Sequence, residues 1–114
     1  MKSKILALSK NEEFKNLLNQ KKISNKYVTI FFGYLENKKV SKLNISFVTK
    51  KKIGNAVKRN KIKRKLKAIV QNLLKKRGAI NRDYTYIVFG KSNAFTEKNN
   101  VLMPAMIKCF NKIK

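Results

Sequence analysis

The sequence predicts an α+β domain, a small two-layer α-β sandwich with a mixed sheet of about four strands and three helices. Three observations carry that prediction. The runs Tyr27–Leu35, Leu43–Thr49 and Tyr84–Gly90 are short and dense in β-branched and aromatic residues, the composition of strands. Between the second and third lies Ala56–Lys76, whose apolar residues recur at helical spacing. Shorter amphipathic stretches stand near both ends of the chain. With 114 residues there is room for one domain, 1–114, around one modest core.

Taken in order, Ser9-Lys10-Asn11-Glu12 has the form S-x-x-E of a capping box, in which hydroxyl and carboxylate satisfy N–H groups at a helix start. Phe14, Leu17 and Leu18 follow at i, i+3 and i+4, so a helix over about Lys10–Gln20 has one apolar face. Lys21–Lys26 is a polar connector with room for a short extra strand near Ile23. The strand Tyr27–Leu35, the turn Glu36–Lys39 and the alternating strand Leu43–Thr49 are expected to form an antiparallel hairpin. Gly54-Asn55 opens the long helix, and Gly78 is expected to end it as a C′ glycine. Tyr84–Gly90 is the last strand and Lys91–Lys98 a loop. A final helix is expected over Met103–Lys112, with Pro104 in its first turn and a seam of Met103, Met106, Ile107, Phe110 and Ile113. The order is α-β-β-β-α-β-α once the strand near Ile23 is included. The strands flanking the long helix should be parallel neighbours, because a helical crossover separates them. No repeat or linker interrupts the chain.

Charge is the compositional anomaly. Lys and Arg total 29 against five acids, a formal net charge of +24. Such a surplus repels itself in the folded state and calls for a polyanion to screen it. Nucleic acid fits better than an anionic membrane, because the basic residues are spread through strands and core segments rather than gathered on one amphipathic helix, and there is no Trp. The lone Cys109 cannot form an internal disulfide and fits a reducing cytosol. With no His, a zinc site is not expected. Five scattered acids offer no obvious metal-binding or acid–base pair for a protein-only nuclease. Tyr27–Leu35 is too short to span a bilayer, and Ile5–Leu8 too short for a signal-peptide core. A soluble, cytoplasmic protein is expected.

The long helix carries two faces. At 100° per residue, Ile62, Leu66, Ile69, Val70 and Leu73 fall within an arc of about 100°, a stripe expected to pack on the sheet. Asn60, Arg64 and Lys67 fall together on the opposite side, flanked by Lys61, Lys63 and Lys65. Ten of the eighteen residues in Lys50–Lys67 are basic and none is acidic. A merely soluble face mixes signs, since like charges at i,i+4 cost a few tenths of a kcal/mol per pair. An all-cationic face suits phosphate contacts, which give affinity with little sequence discrimination. Asn60 donates and accepts hydrogen bonds, so it can meet a base edge or 2′-OH among them.

The string Lys51-Lys52-Ile53-Gly54-Asn55-Ala56-Val57-Lys58-Arg59-Asn60-Lys61-Ile62-Lys63-Arg64 closely resembles the signature of the protein subunit of bacterial ribonuclease P, K-K-x-G-x-A-V-x-R-N-R-x-K-R. The rest of the chain is similar in size, charge and element order. Lys61 and Lys67 depart from the pattern by standing where Arg is usual. They keep the charge and lose the planar fork, an exchange that the Lys-, Asn- and Ile-rich composition of an AT-rich genome favours. The resemblance implies an RNA catalyst that removes the 5′ leader of precursor tRNA by Mg-dependent hydrolysis, with no catalytic residue, metal or cofactor in the protein. It implies two partners, the catalytic RNA and precursor tRNA, with one protein per RNA and neither DNA nor membrane. It also implies a left-handed crossover, against the usual right-handed rule.

Carried over residue by residue, the resemblance assigns RNA binding to Lys51, Lys52, Asn55, Lys58, Arg59, Asn60, Lys61, Lys63, Arg64 and Lys67. It places the leader in a cleft between the first helix and the sheet. Phe14 matches the family's helix aromatic, whereas Leu18 stands where a second aromatic is common and keeps only apolar contact. On the long strand, Val28, Ile30, Phe32 and Tyr34 share one face and Tyr27, Thr29 and Phe31 the other. Either face can meet the leader; Phe32 and Tyr34 are the expected pair. Tyr84, Tyr86 and Cys109 are expected to be packing residues. A ribosomal-type structural RNA binder would share the charge and size but not the Gly54-to-Asn60 string.

Overall fold

The computed structural model describes residues 5–6, 11–34, 43–76, 78, 80–81 and 83–113. The Ser9 cap, Leu35 and the turn Glu36–Lys39 lie outside them. The elements are β1 (Ile5–Leu6), α1 (Asn11–Leu18), β2 (Lys21–Ser24), β3 (Val28–Gly33), β4 (Leu43–Thr49), α2 (Ala56–Leu73), β5 (Thr85–Gly90), α3 (Asn93–Thr96) and α4 (Asn99–Lys112). A 3-10 turn, Lys51–Ile53, joins β4 to α2.

The sheet order is β1-β4-β5-β3-β2, mixed in direction, with a two-residue β1 at one margin. β4 and β5 are parallel neighbours, paired from Ile45↔Tyr86 to Thr49↔Gly90, as the helical crossover between them requires. The expected β3–β4 hairpin does not form. β5 lies between those strands, antiparallel to β3 from Val28↔Gly90 to Gly33↔Thr85. The commonest hairpin loops have about two to five residues, whereas nine separate these strands. β5 is buried at five of its six positions, so the centre of the sheet suits it. The hairpin that does form is β2–β3, with Ile23 opposite Ile30.

The two-residue period of the strands assigns their side chains. Phe47, Val88, Ile30 and Ile23 form one row across the sheet, and Ile45, Tyr86 and Phe32 the next. These rows face α2 and α4 and make the main core with Ile62, Leu66, Ile69, Val70, Leu73, Leu102, Met106 and Phe110. Gly90 permits the close approach of α2: a Cβ there would collide with Ile62 Cγ2 and stand 3.0 Å from Leu66 Cδ1. The opposite face carries the rows Val48-Phe89-Thr29 and Ser46-Ile87-Phe31, over which α1 lies on β3 and β5.

The apolar stripe of α2 is buried as its spacing predicts. The helix ends at Leu73, three residues before the expected end. Lys75 N–H and Lys76 N–H then bond to Asn72 O and Leu73 O, tightening the chain into turns before Gly78, whose φ is 77°. α4 begins a turn earlier than Pro104 suggests, at Asn99, so the proline sits inside it and removes one backbone bond. Its seam rotates accordingly. Leu102, Met106, Cys109, Phe110 and Ile113 are buried, and Met103 and Ile107 only partly. Tyr84 and Tyr86 are buried as expected, and the Tyr86 hydroxyl donates to Asn81 O at 2.5 Å.

Candidate nucleic-acid interface

The N-terminus of α2 is built by its own sequence. Asn55 is the N-cap, its Oδ1 accepting from Lys58 N–H at 3.0 Å, which satisfies one of the orphan donors of the first turn. Arg59 Nε reaches back to Gly54 O at 3.2 Å and ties the 3-10 turn to the helix. Asn55 and Arg59 therefore have structural work in addition to the binding roles expected of them. Lys51, Lys52, Asn60, Lys61, Arg64 and Lys67 are exposed, and Lys58, Arg59 and Lys63 are half-buried. Val57 stands among the cations with 73% of its surface exposed.

Lys65 behaves differently from its neighbours. Its Nζ donates to Ala94 O (2.9 Å), Phe95 O (3.1 Å) and Glu97 O (2.5 Å), closing the C-terminal end of α3. Burial, reinforced by the nearby Lys61 charge and partly offset by Glu97, lowers its pKa. Spacing alone places it among the flanking cations, because the loop it caps is distant in sequence.

A cleft of about 740 Å³ opens beside α1 on the sheet face away from the main core. Its floor is Thr29, Phe31, Phe89 and Gly90, and Leu18 lines the α1 side. Lys22, Lys50, Lys52, Ile53, Lys91 and Ser92 complete the wall. Phe31 and Phe89 meet edge-on, 5.5 Å between centroids, and Phe14 meets Phe89 in the same manner at 6.5 Å. Lys22 Nζ stands 5.9 Å from the Phe31 centroid. Apolar rings with a lysine rim provide stacking and phosphate contact together, the combination that holds single-stranded nucleic acid.

This placement corrects the expected pair Phe32 and Tyr34. Phe32 is only 6% exposed in the main core, packed on Tyr84. Tyr34 is exposed but stacks on Tyr84 at 4.5 Å, on the same side as Phe32. The strand's alternation separates the two sets correctly; which set α1 covers depends on where α1 packs. Phe31 was expected only on the alternative face and Lys50 only in the basic segment. Phe89, Lys22 and Lys91 were not expected at the site, because their place in the cleft depends on strand pairing and on where α1 lies. The cleft and the cationic helix adjoin, since Lys52 belongs to both the wall and the basic string, and Lys58 Nζ donates to the wall residue Ser92 at 3.1 Å.

Among the described residues no three His, Cys, Asp or Glu side chains gather as a metal site. None of the described helices is long and apolar enough to cross a membrane.

Fold and surface together define a small α+β protein with an aromatic, lysine-walled cleft set beside a cationic helix. The chain belongs to the ribonuclease P protein family, whose model matches residues 3–114. It is 33% identical over 107 residues to the ribonuclease P protein component of Mycoplasma mycoides subsp. mycoides, covering 94% of each chain. The fold is that of the RNase P protein from Thermotoga maritima, with a TM-score of 0.76 at 18% identity over 96% of this chain and 98% of that one. It is likewise that of the Staphylococcus aureus RNase P protein, with a TM-score of 0.73 at 23% identity over 95% and 94%.

Proposed function

We propose that this protein is the subunit of bacterial ribonuclease P that binds the catalytic RNA through the outer face of α2 and the 5′ leader of precursor tRNA through the cleft beside α1. The observation that carries this reading is the shared wall. Lys52, Lys58 and Ser92 join the two surfaces, so one RNA on the helix and a single strand in the cleft would lie side by side. In this reading Asn60, Arg64 and Lys67 contact the catalytic RNA, with Lys51, Lys52, Lys58, Arg59, Lys61 and Lys63 adding phosphate contacts and Asn55 setting the helix start. Phe31 and Phe89 stack leader bases, and Leu18 packs beside them. The protein lowers repulsion between two crowded polyanions and supplies no reacting group. The bond is hydrolysed in the RNA with Mg²⁺ in the bacterial cytoplasm, with one protein per RNA.

Reconstitution with a bacterial ribonuclease P RNA at low Mg²⁺ tests this reading. The protein should restore cleavage, and it should strengthen precursor binding far more than mature-tRNA binding, because the product has lost its leader. Equal strengthening of both would refute the leader cleft, and substantial cleavage by RNA-free protein would refute the division of labour. If about six phosphates are contacted, log K should fall with log salt at a slope near −4 to −5.

A further inference from the structure

Three lysines of α2 share one flank. At 100° per residue Lys58, Lys61 and Lys65 fall within about 60° of one another. Like charges at these spacings should splay apart. Instead they converge on the six-residue segment Ser92–Glu97. Lys58 Nζ lies 5.2 Å and Lys61 Nζ 5.1 Å from the centroid of the same Phe95 ring. Lys58 also donates to Ser92 Oγ, and Lys65 donates to the carbonyls of Ala94, Phe95 and Glu97. An ammonium has three donors, so Lys65 is fully used within the protein. Lys58 and Lys61 are not: a ring face attracts a cation without occupying its N–H groups.

Resting on the reading of α2 as the catalytic-RNA surface, we propose that Phe95 is a positioning residue for RNA binding. Its ring holds the Lys58 and Lys61 ammoniums in place beside Asn60 and Arg64. Lys65 anchors the turn that carries the ring, so one lysine is withdrawn from the surface to order two others. The negative ring face also offsets the repulsion between the pair, which in a free helix would scatter both side chains before RNA arrives. Pre-ordering lowers the entropy lost on binding. Lys61 thereby acquires a defined place although it lacks the guanidinium fork. An arginine at that position would stack on the same ring, so Lys61→Arg should preserve binding.

The test compares Phe95→Leu and Phe95→Met, which remove the ring, with Phe95→Tyr, which keeps it. Binding to a bacterial ribonuclease P RNA is titrated across salt, thermal unfolding checks the fold, and NMR reads the ε-methylene shifts of Lys58 and Lys61 in the free protein. The ring-less variants should bind roughly tenfold more weakly, because two lysine side chains must then be ordered on binding. They should show a shallower salt slope and lose the ring-current shift of both lysines, whereas Phe95→Tyr should match the parent in all three. Phe95 is partly buried; if one ring-less variant fails to fold, the other gives the reading. Unchanged affinity and slope in a folded ring-less variant would overturn the proposal, as would an equal loss in Phe95→Tyr. If the parent does not bind, or binds and Arg64→Ala changes nothing, the reading of α2 as the RNA surface fails. If Arg64→Ala weakens binding and the ring-less variants do not, only the role of Phe95 is overturned.

Discussion

The two faces of the sheet are covered by helices of different reach. On one, α2 and α4 have eighteen and fourteen residues and bury Ile30, Phe32, Tyr86 and Val88 almost completely. On the other, α1 has only eight residues. It buries its own Leu17 fully but leaves Thr29, Phe31 and Phe89 half-buried beside a lysine-walled opening. Phe31 and Phe32 are adjacent in β3 and chemically identical, yet one is core and the other is available to a ligand. Burial by helices, rather than residue type, divides the aromatic residues between the closed core and the open cleft.

The sharpest way to break that comparison is to truncate the two neighbours. Phe32→Ala should cost about 3–5 kcal/mol of stability, read by urea unfolding, while the folded fraction keeps its leader affinity. Phe31→Ala should cost less stability and remove about 1–3 kcal/mol of leader binding, if it stacks one base. That loss should appear with precursor and not with mature tRNA. Similar profiles for the two variants would show that the faces are not divided in this manner.

A smaller effect is expected at the junction of the two surfaces. Asn55→Ala removes the N-cap of α2 and should cost about 1 kcal/mol, measured as a lowered Tm, while Asn55→Asp should retain the cap.

The smallest expected effect concerns the rim of the closed face, where Tyr27 Oη donates to Glu97 Oε2 at 3.0 Å. The Lys98 N–H and then the Tyr27 hydroxyl hold the Glu97 carboxyl below its ordinary 4.5. A depressed carboxylate adds stability above its unfolded pKa and loses it as pH falls through the folded value. The parent should therefore lose slightly more stability than Glu97→Gln between pH 5 and the acid limb, roughly where carboxylates titrate. Parallel acid curves would mean that this exposed contact contributes nothing measurable, a common outcome at surfaces.

Much of this was legible in one dimension. β4 has the expected bounds, α2 starts at the expected residue, and its buried stripe matches the 3.6-residue period, because these features depend on neighbours a few positions away. The basic string is contiguous, so the family was readable from it. The seam of α4 was displaced because Pro104 is a strong local signal, and packing of Leu102 against the core outweighed it. The β3–β4 hairpin was misplaced because strand pairing is non-local, and β5, far along the chain, took the central position.

By itself the sequence determined the main strands and helices, the charge, the two-sided helix and the family, all of which follow from spacing and residue type along the chain. It missed β1 and read as loop the segment that forms α3. Only the tertiary structure decided which face of β3 is open, since a two-residue period defines two faces and says nothing of which one a short helix leaves uncovered. The tertiary structure also decided that Lys65 caps a turn while Lys58 and Lys61 share a ring, because their partners lie about thirty residues away and meet them only when α3 folds back on α2.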